Sequence, residues 1–275
     1  MNWLQSIIYS FISGFSEFVP VSAQAHEAIL KCLFGAENQP LLQCVIRLGA
    51  LMGVLFSCRS QLARLKRERR LARIPKNRRK RQPEIKYLYD LRLLRGASVL
   101  IVLGAVCYFV VSGAKVNLSW ISFLLLVNGF AIFLPQLHPS GNKDGRTASP
   151  ADSFLVGLVG CLGYIPGLSR VGTMISAMKR RGCERQYALH MSLLVSIPAI
   201  LSVLVFEVFQ LISAGFSGVT FGFAVQCLIC GMVSFAGSVC AITFMRFLSV
   251  KTGFAAFAYY SWGAALFSFI LFLTT

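Results

Sequence analysis

The sequence predicts an all-α polytopic membrane protein built as an inverted-topology repeat. Three observations carry this. Of 275 residues 56% are hydrophobic and only 13% charged, with a mean hydropathy of +0.68, whereas soluble domains carry about 25% charge. Several apolar runs are long enough to cross a bilayer, where helices and closed barrels are the structures that satisfy the backbone. The order of these runs repeats once along the chain.

Residues 1–34 are apolar but interrupted by Ser13, Gly14, Glu17, Pro20, Ser22 and His26. Pro20 breaks the helical ladder, and Glu17 and His26 are costly in hydrocarbon unless they face a cavity or partner. Two half-helices with tips at membrane depth fit better than one span. A full span follows at 41–58; its Arg47 is an intramembrane charge that needs a partner, and Glu17 is the candidate.

Residues 59–95 hold 15 Lys or Arg against the acids Glu68, Glu84 and Asp90, more than half of the 27 basic residues in the chain. The net charge of +17 is therefore local. It marks a cytoplasmic loop with a solvated helix, able to rest on anionic headgroups, not a nucleic-acid surface. Spans at 96–112 and 119–137 close the first repeat, 1–137. Residues 138–150, with Pro139, Gly141, Asn142, Asp144, Gly145 and Pro150, form a linker.

The second repeat, 151–275, starts with another broken segment at 151–178. Pro166 and Gly167 should end a helix near Tyr164, and Ser169 should cap a new one. Thr173 lies one turn on, and Arg170 adds a planar donor fork suited to phosphate oxygens. A helix N-terminus with such residues favours an anion. Spans at 187–212, 220–247 and 254–273 complete a single membrane domain. Gly14-x5-Pro20 with Ser22 parallels Gly160-x5-Pro166 with Ser169.

Each half is thus a re-entrant pair plus three spans, an odd number that inverts the second half. Charge agrees. With 59–95 inside, Lys179, Arg180, Arg181, Arg246 and Lys251 also fall inside, and the outer turns near Glu37, Lys115 and Ser213 hold almost no positive charge. Pairs entering from opposite faces bring Ser13, Glu17, Ser22 and His26 toward Ser169, Arg170 and Thr173. These are the residue types of phosphate chemistry: an arginine and helix N-termini for the anion, Glu17 for a metal or a proton, Ser22 or His26 as nucleophile or acid/base. Most of the nine cysteines sit in apolar runs, and Cys227-x-x-Cys230 stands alone, a weak metal or redox signal.

Glu17-Phe-Val-Pro-Val-Ser22 with His26, Val45-Ile-Arg-Leu-Gly49, Pro166-Gly-Leu-Ser-Arg170 with Thr173, and Ser196-Ile-Pro-Ala199 together resemble the undecaprenyl-diphosphate phosphatase family, also called the bacitracin-resistance protein family. The resemblance runs over nearly the whole chain. It implies a multi-pass enzyme of the bacterial inner (plasma) membrane that hydrolyses undecaprenyl diphosphate to undecaprenyl phosphate, recycling the carrier for cell-wall precursors and giving bacitracin resistance. It implies catalytic roles for Glu17, Ser22, His26 and Arg170, and diphosphate binding by Gly167, Ser169, Arg170 and Thr173.

The resemblance also implies a divalent metal, Mg2+ or Ca2+, at Glu17. Three positions depart from the pattern. Ser13 stands where the family has Glu or Gln, Ala23 replaces a second serine, and Val171 replaces a serine after the arginine. Arg47 occupies a position more often held by a neutral amide, and by pairing with Glu17 it would replace the metal's charge. The alternative function is non-hydrolytic binding or transport of polyprenyl phosphates. A homodimer is left open.

Overall fold

A computed structural model describes residues 1–36, 39–78, 82–113, 117–139, 141–147, 149–214 and 220–274. Their regular structure is helical and without strands, apart from one isolated bridge between Lys143 and Cys183. Among the described residues, five helices are long and apolar enough to cross a membrane: α3 (Pro40–Ser57), α6 (Leu118–Phe133, continued by a 3-10 turn to Leu137), α9 (Arg185–Ala214), α10 (Phe221–Lys251) and α11 (Ala256–Thr274). The chain is an all-α polytopic membrane protein.

Both expected helix breaks occur, each for a local reason. Asn2 caps α1 (Trp3–Ser16) in a reciprocal capping box with Gln5. The helix stops at Glu17, a buried turn runs through Phe18, Val19, Pro20 and Val21, and the Ser22 side chain caps α2 (Ala23–Phe34) by accepting from Ala25 N. Ahead of the second break Ser149 and Asp152 form a capping box that starts α7 (Pro150–Leu162). Ser169 then caps α8 (Arg170–Arg180), accepting from Gly172 N. Gly167 bridges the two with φ at +108°, a conformation that favours glycine. A Cβ there would also strike the Leu124 side chain.

The helix expected in the basic stretch is present. Residues 59–73 form α4 (Arg59–Arg73), which buries Leu65 and Glu68, and residues 85–95 are the first part of α5 (Ile85–Gly113). The span expected at 96–112 is thus the second part of a 29-residue helix. The turns expected near Glu37 and Lys115 lie outside the described residues, and Ser213 belongs to α9.

Helix α10 lies against both α1 and α3, and small residues let the backbones meet. A Cβ on Gly49 would overlap the Gly231 carbonyl, and one on Gly14 the Ser234 carbonyl. The serines of the seam turn their hydroxyls onto neighbouring helices: Ser234 Oγ donates to Ile46 O at 2.7 Å and Ser238 Oγ to Gly14 O at 3.0 Å. The largest apolar core joins α3, α5, α8 and α9 through residues such as Val54, Ile101, Met174 and Leu194. Cys227 and Cys230 are free thiols packed with Tyr9, Leu42 and Ile46.

Candidate active site

The two helix breaks meet. Gly167 N donates to Ser22 Oγ at 2.9 Å, and Ser169 Oγ donates to Val19 O at 3.2 Å. Across the same junction Arg170 Nη1 pairs with Glu17 Oε1 at 3.0 Å, their side chains 6% and 7% exposed. Residues 153 positions apart in sequence therefore form a charge-assisted contact in a dry setting, where it is stronger than at a surface. Arg170 also lies 5.3 Å above the Tyr164 ring, and its Nε is buried without a partner. Gly163 makes this approach feasible, since a Cβ there would overlap Arg170.

Of the sequence-predicted site residues, Glu17, Ser22, Gly167, Ser169 and Arg170 come together directly. Thr173 is buried one turn into α8, and its hydroxyl donates to Val159 O at 3.2 Å and Arg170 O at 3.0 Å. Ser13 is buried with its hydroxyl unpartnered, in a polar cavity shared with Tyr9, Glu17, Glu27, Gln43 and Arg47.

His26 takes a different place. Its Nδ1 lies 2.7 Å from Ser22 O, and since a carbonyl only accepts, Nδ1 carries the proton. In the neutral ring Nε2 then accepts from Tyr260 OH at 2.6 Å, and the two rings stack. This couple borders an apolar groove of about 410 Å3 walled by Phe11, Phe15, Val19, Val21 and Phe257.

Arg47 is bound chiefly to a residue other than the one the sequence singled out. Its Nε donates to Glu207 Oε1 at 2.9 Å, which also accepts from Tyr108 OH at 3.3 Å. Glu17 Oε2 at 3.7 Å and Glu27 Oε2 at 3.8 Å are its more distant counter-charges. Glu17 is consequently held between two guanidiniums, one on each oxygen.

Glu207 comes from α9 and Tyr260 from α11; Tyr260 and Asn128 escaped sequence reasoning. Asn128, fully buried on α6, ties the whole junction: its Oδ1 accepts from Ser169 N at 2.8 Å, and its Nδ2 donates to Ser261 Oγ at 3.0 Å and reaches Pro20 O at 3.5 Å. The available signal was a lone amide in an apolar run. Asn128→Leu leaves Ser169 N buried and unpaired, so a loss of about 1–3 kcal/mol is expected in thermal or chemical unfolding in detergent. An unchanged melting curve would refute this role.

A family model described as bacitracin resistance protein BacA matches residues 6–267. The chain is 28% identical to an undecaprenyl-diphosphatase of Carboxydothermus hydrogenoformans over 95% of its own length and 94% of that protein's. It is similarly 28% identical to undecaprenyl-diphosphatase 1 of Shouchella clausii, covering 98% and 96%. With undecaprenyl-diphosphatase 3 of Bacillus cereus the identity is 25%, covering 97% and 96%.

Proposed function

The chain belongs to the bacitracin resistance protein BacA family, and from that premise we propose that it hydrolyses undecaprenyl diphosphate to undecaprenyl phosphate and inorganic phosphate, which recycles the lipid carrier and gives bacitracin resistance. The observation that carries this reading is the buried Arg170–Glu17 pair at the meeting of two helix breaks. A terminal phosphate arriving there takes the Arg170 donors and the N–H groups that open α8, where anions are favoured. Glu17 Oε1 is thereby released to accept a proton from the attacking water. The bond from the terminal phosphorus to the bridging oxygen breaks, and its electron pair stays on the lipid phosphate. The groove beside His26 and Tyr260 suits the isoprenoid chain.

Ser22 Oγ already accepts from Gly167 N and Ala25 N, which favours water over Ser22 as nucleophile. The donor set around Glu17 does not suit a divalent cation. Both its oxygens face guanidiniums, and Ser13 offers a hydroxyl in place of a carboxylate.

Purified protein in liposomes with farnesyl or undecaprenyl diphosphate tests both points. Phosphate release is expected in chelator as in magnesium or calcium, and Glu17→Gln should slow it by about 10²-fold or more. Release that depends on added cation would overturn the metal-free reading. Lipid diphosphate bound but not cleaved would favour the non-hydrolytic alternative.

The proposed topology places the α1–α2 and α7–α8 pairs as re-entrant hairpins from opposite faces of the bacterial inner membrane, in two inverted repeats, with residues 59–95 cytoplasmic. The concentration of basic residues there supports it. A protease site inserted after Arg73 should be cut in inverted vesicles and protected in intact spheroplasts; the opposite pattern would reverse the orientation.

A further inference from the structure

Away from the proposed active site, two arginines from each of two helices line one cleft. Arg69 and Arg73 are four apart on α4, Arg92 and Arg95 three apart on α5, so each couple shares a helical face. With Leu88 and Leu91 they wall a cleft of about 420 Å3. All four arginines are exposed, and none of the cleft's lining side chains is acidic among the described residues. Two carboxylates of the same helices have partners outside the cleft lining. Glu68 takes Arg67 at 3.4 Å and Glu84 N at 3.0 Å, and Asp90 accepts from Tyr187 OH at 3.0 Å. Four like charges are gathered without a counter-charge among the residues that line the cleft.

The surroundings specify more than an anion. Arg92 also lines a second groove, of about 450 Å3, between α5 and α7, where Leu93, Val99, Leu100 and Phe154 present apolar walls. Val99 and Phe154 are among the exposed large hydrophobics. Arg95 immediately precedes Gly96, after which α5 turns apolar, so the basic cleft lies at the level where headgroups meet hydrocarbon. Free phosphate would use the first compartment alone and a neutral lipid the second. An acidic phospholipid uses both, since guanidinium forks match phosphate oxygens and juxtamembrane basic residues attract anionic headgroups.

We propose that the α4–α5 cleft binds an anionic phospholipid, its headgroup phosphate on Arg69, Arg73, Arg92 and Arg95 and an acyl chain in the α5–α7 groove. This site is independent of the hydrolytic reading and would hold if that reading failed.

The test is binding of dioctanoyl-phosphatidylglycerol to the full chain in detergent, compared with dioctanoyl-phosphatidylcholine, inorganic diphosphate and farnesyl phosphate. Phosphatidylglycerol should bind at least tenfold more tightly than phosphatidylcholine or free diphosphate. Each arginine replaced by Gln should weaken it about fivefold, the ratio that corresponds to about 1 kcal/mol per basic residue. Val99→Trp, which fills the groove, should weaken phosphatidylglycerol binding as well. The Arg→Gln variants and Val99→Trp should keep the wild-type melting temperature and its rate of phosphate release, so that lost binding is not lost folding. Equal binding of phosphatidylcholine, equal binding of free diphosphate, or unchanged affinity in the arginine variants would each overturn the proposal. So would arginine-dependent binding of farnesyl phosphate that is tighter than that of phosphatidylglycerol.

Discussion

Arg170→Ala is expected to lower phosphate release about 10³-fold. Removing one preorganised donor from a developing oxyanion costs about 10²–10³ in rate, and here the lost group carries a full charge in a dry site, 7% exposed. The substitution also strips Glu17 of its 3.0 Å partner and leaves it to Arg47 at 3.7 Å. Arg170→Lys separates charge from geometry. An ammonium cannot reproduce the planar fork, so its rate should fall between wild type and Ala, nearer to Ala. Initial rates with farnesyl diphosphate, read beside melting curves, check this. Activity within tenfold of wild type in a folded Arg170→Ala protein would remove Arg170 from the chemistry.

Glu207→Ala is expected to destabilise the fold by about 3–5 kcal/mol, the range found when one member of a buried ion pair is removed. Arg47 and Glu207 have side chains 9% and 7% exposed and meet at 2.9 Å. Without Glu207, Arg47 keeps only counter-charges at 3.7 and 3.8 Å. Replacing both partners with apolar residues, Arg47→Met with Glu207→Leu, should cost less than either single change, because neither member of the 2.9 Å pair is then left buried without the other. A double-mutant cycle measured by unfolding in detergent gives the coupling; additive losses would show that the two do not depend on each other.

What the sequence made legible follows the range of the forces involved. The break at Pro166 and Gly167 and the cap at Ser169 are written within a few residues, and α7 and α8 end and start accordingly. The convergence of Glu17 with Arg170 needed only the further premise that two broken helices meet. Partner choice among isolated polar residues was not legible. Arg47 has Glu17, Glu27 and Glu207 around it, and the selection of Glu207, 160 positions away, depends on how α3 packs on α9. Tyr260 lies 234 positions from His26 and no local pattern connects them. The basic stretch was legible as a solvated helix, but not what anchors it: charge dominates its composition and the apolar residues that fix it are few, with Leu65 buried on α4.

The glycine and serine seam along α10 has a consequence for how this chain can vary. At Gly14 and Gly49 the closest atoms are backbone carbonyls of α10, and no rotamer change can move a carbonyl aside. Substitutions there admit no gradual series from small to large, because even alanine meets the neighbouring main chain. The arginines of α4, which face outward, permit wide drift so long as the sign of the charge is kept. Distant relatives of this protein should therefore agree on a narrow stripe of small residues through the middle of the bundle while differing freely at its basic rim, and the stripe, more than the charges, marks how far a sequence can diverge before its helices no longer fit.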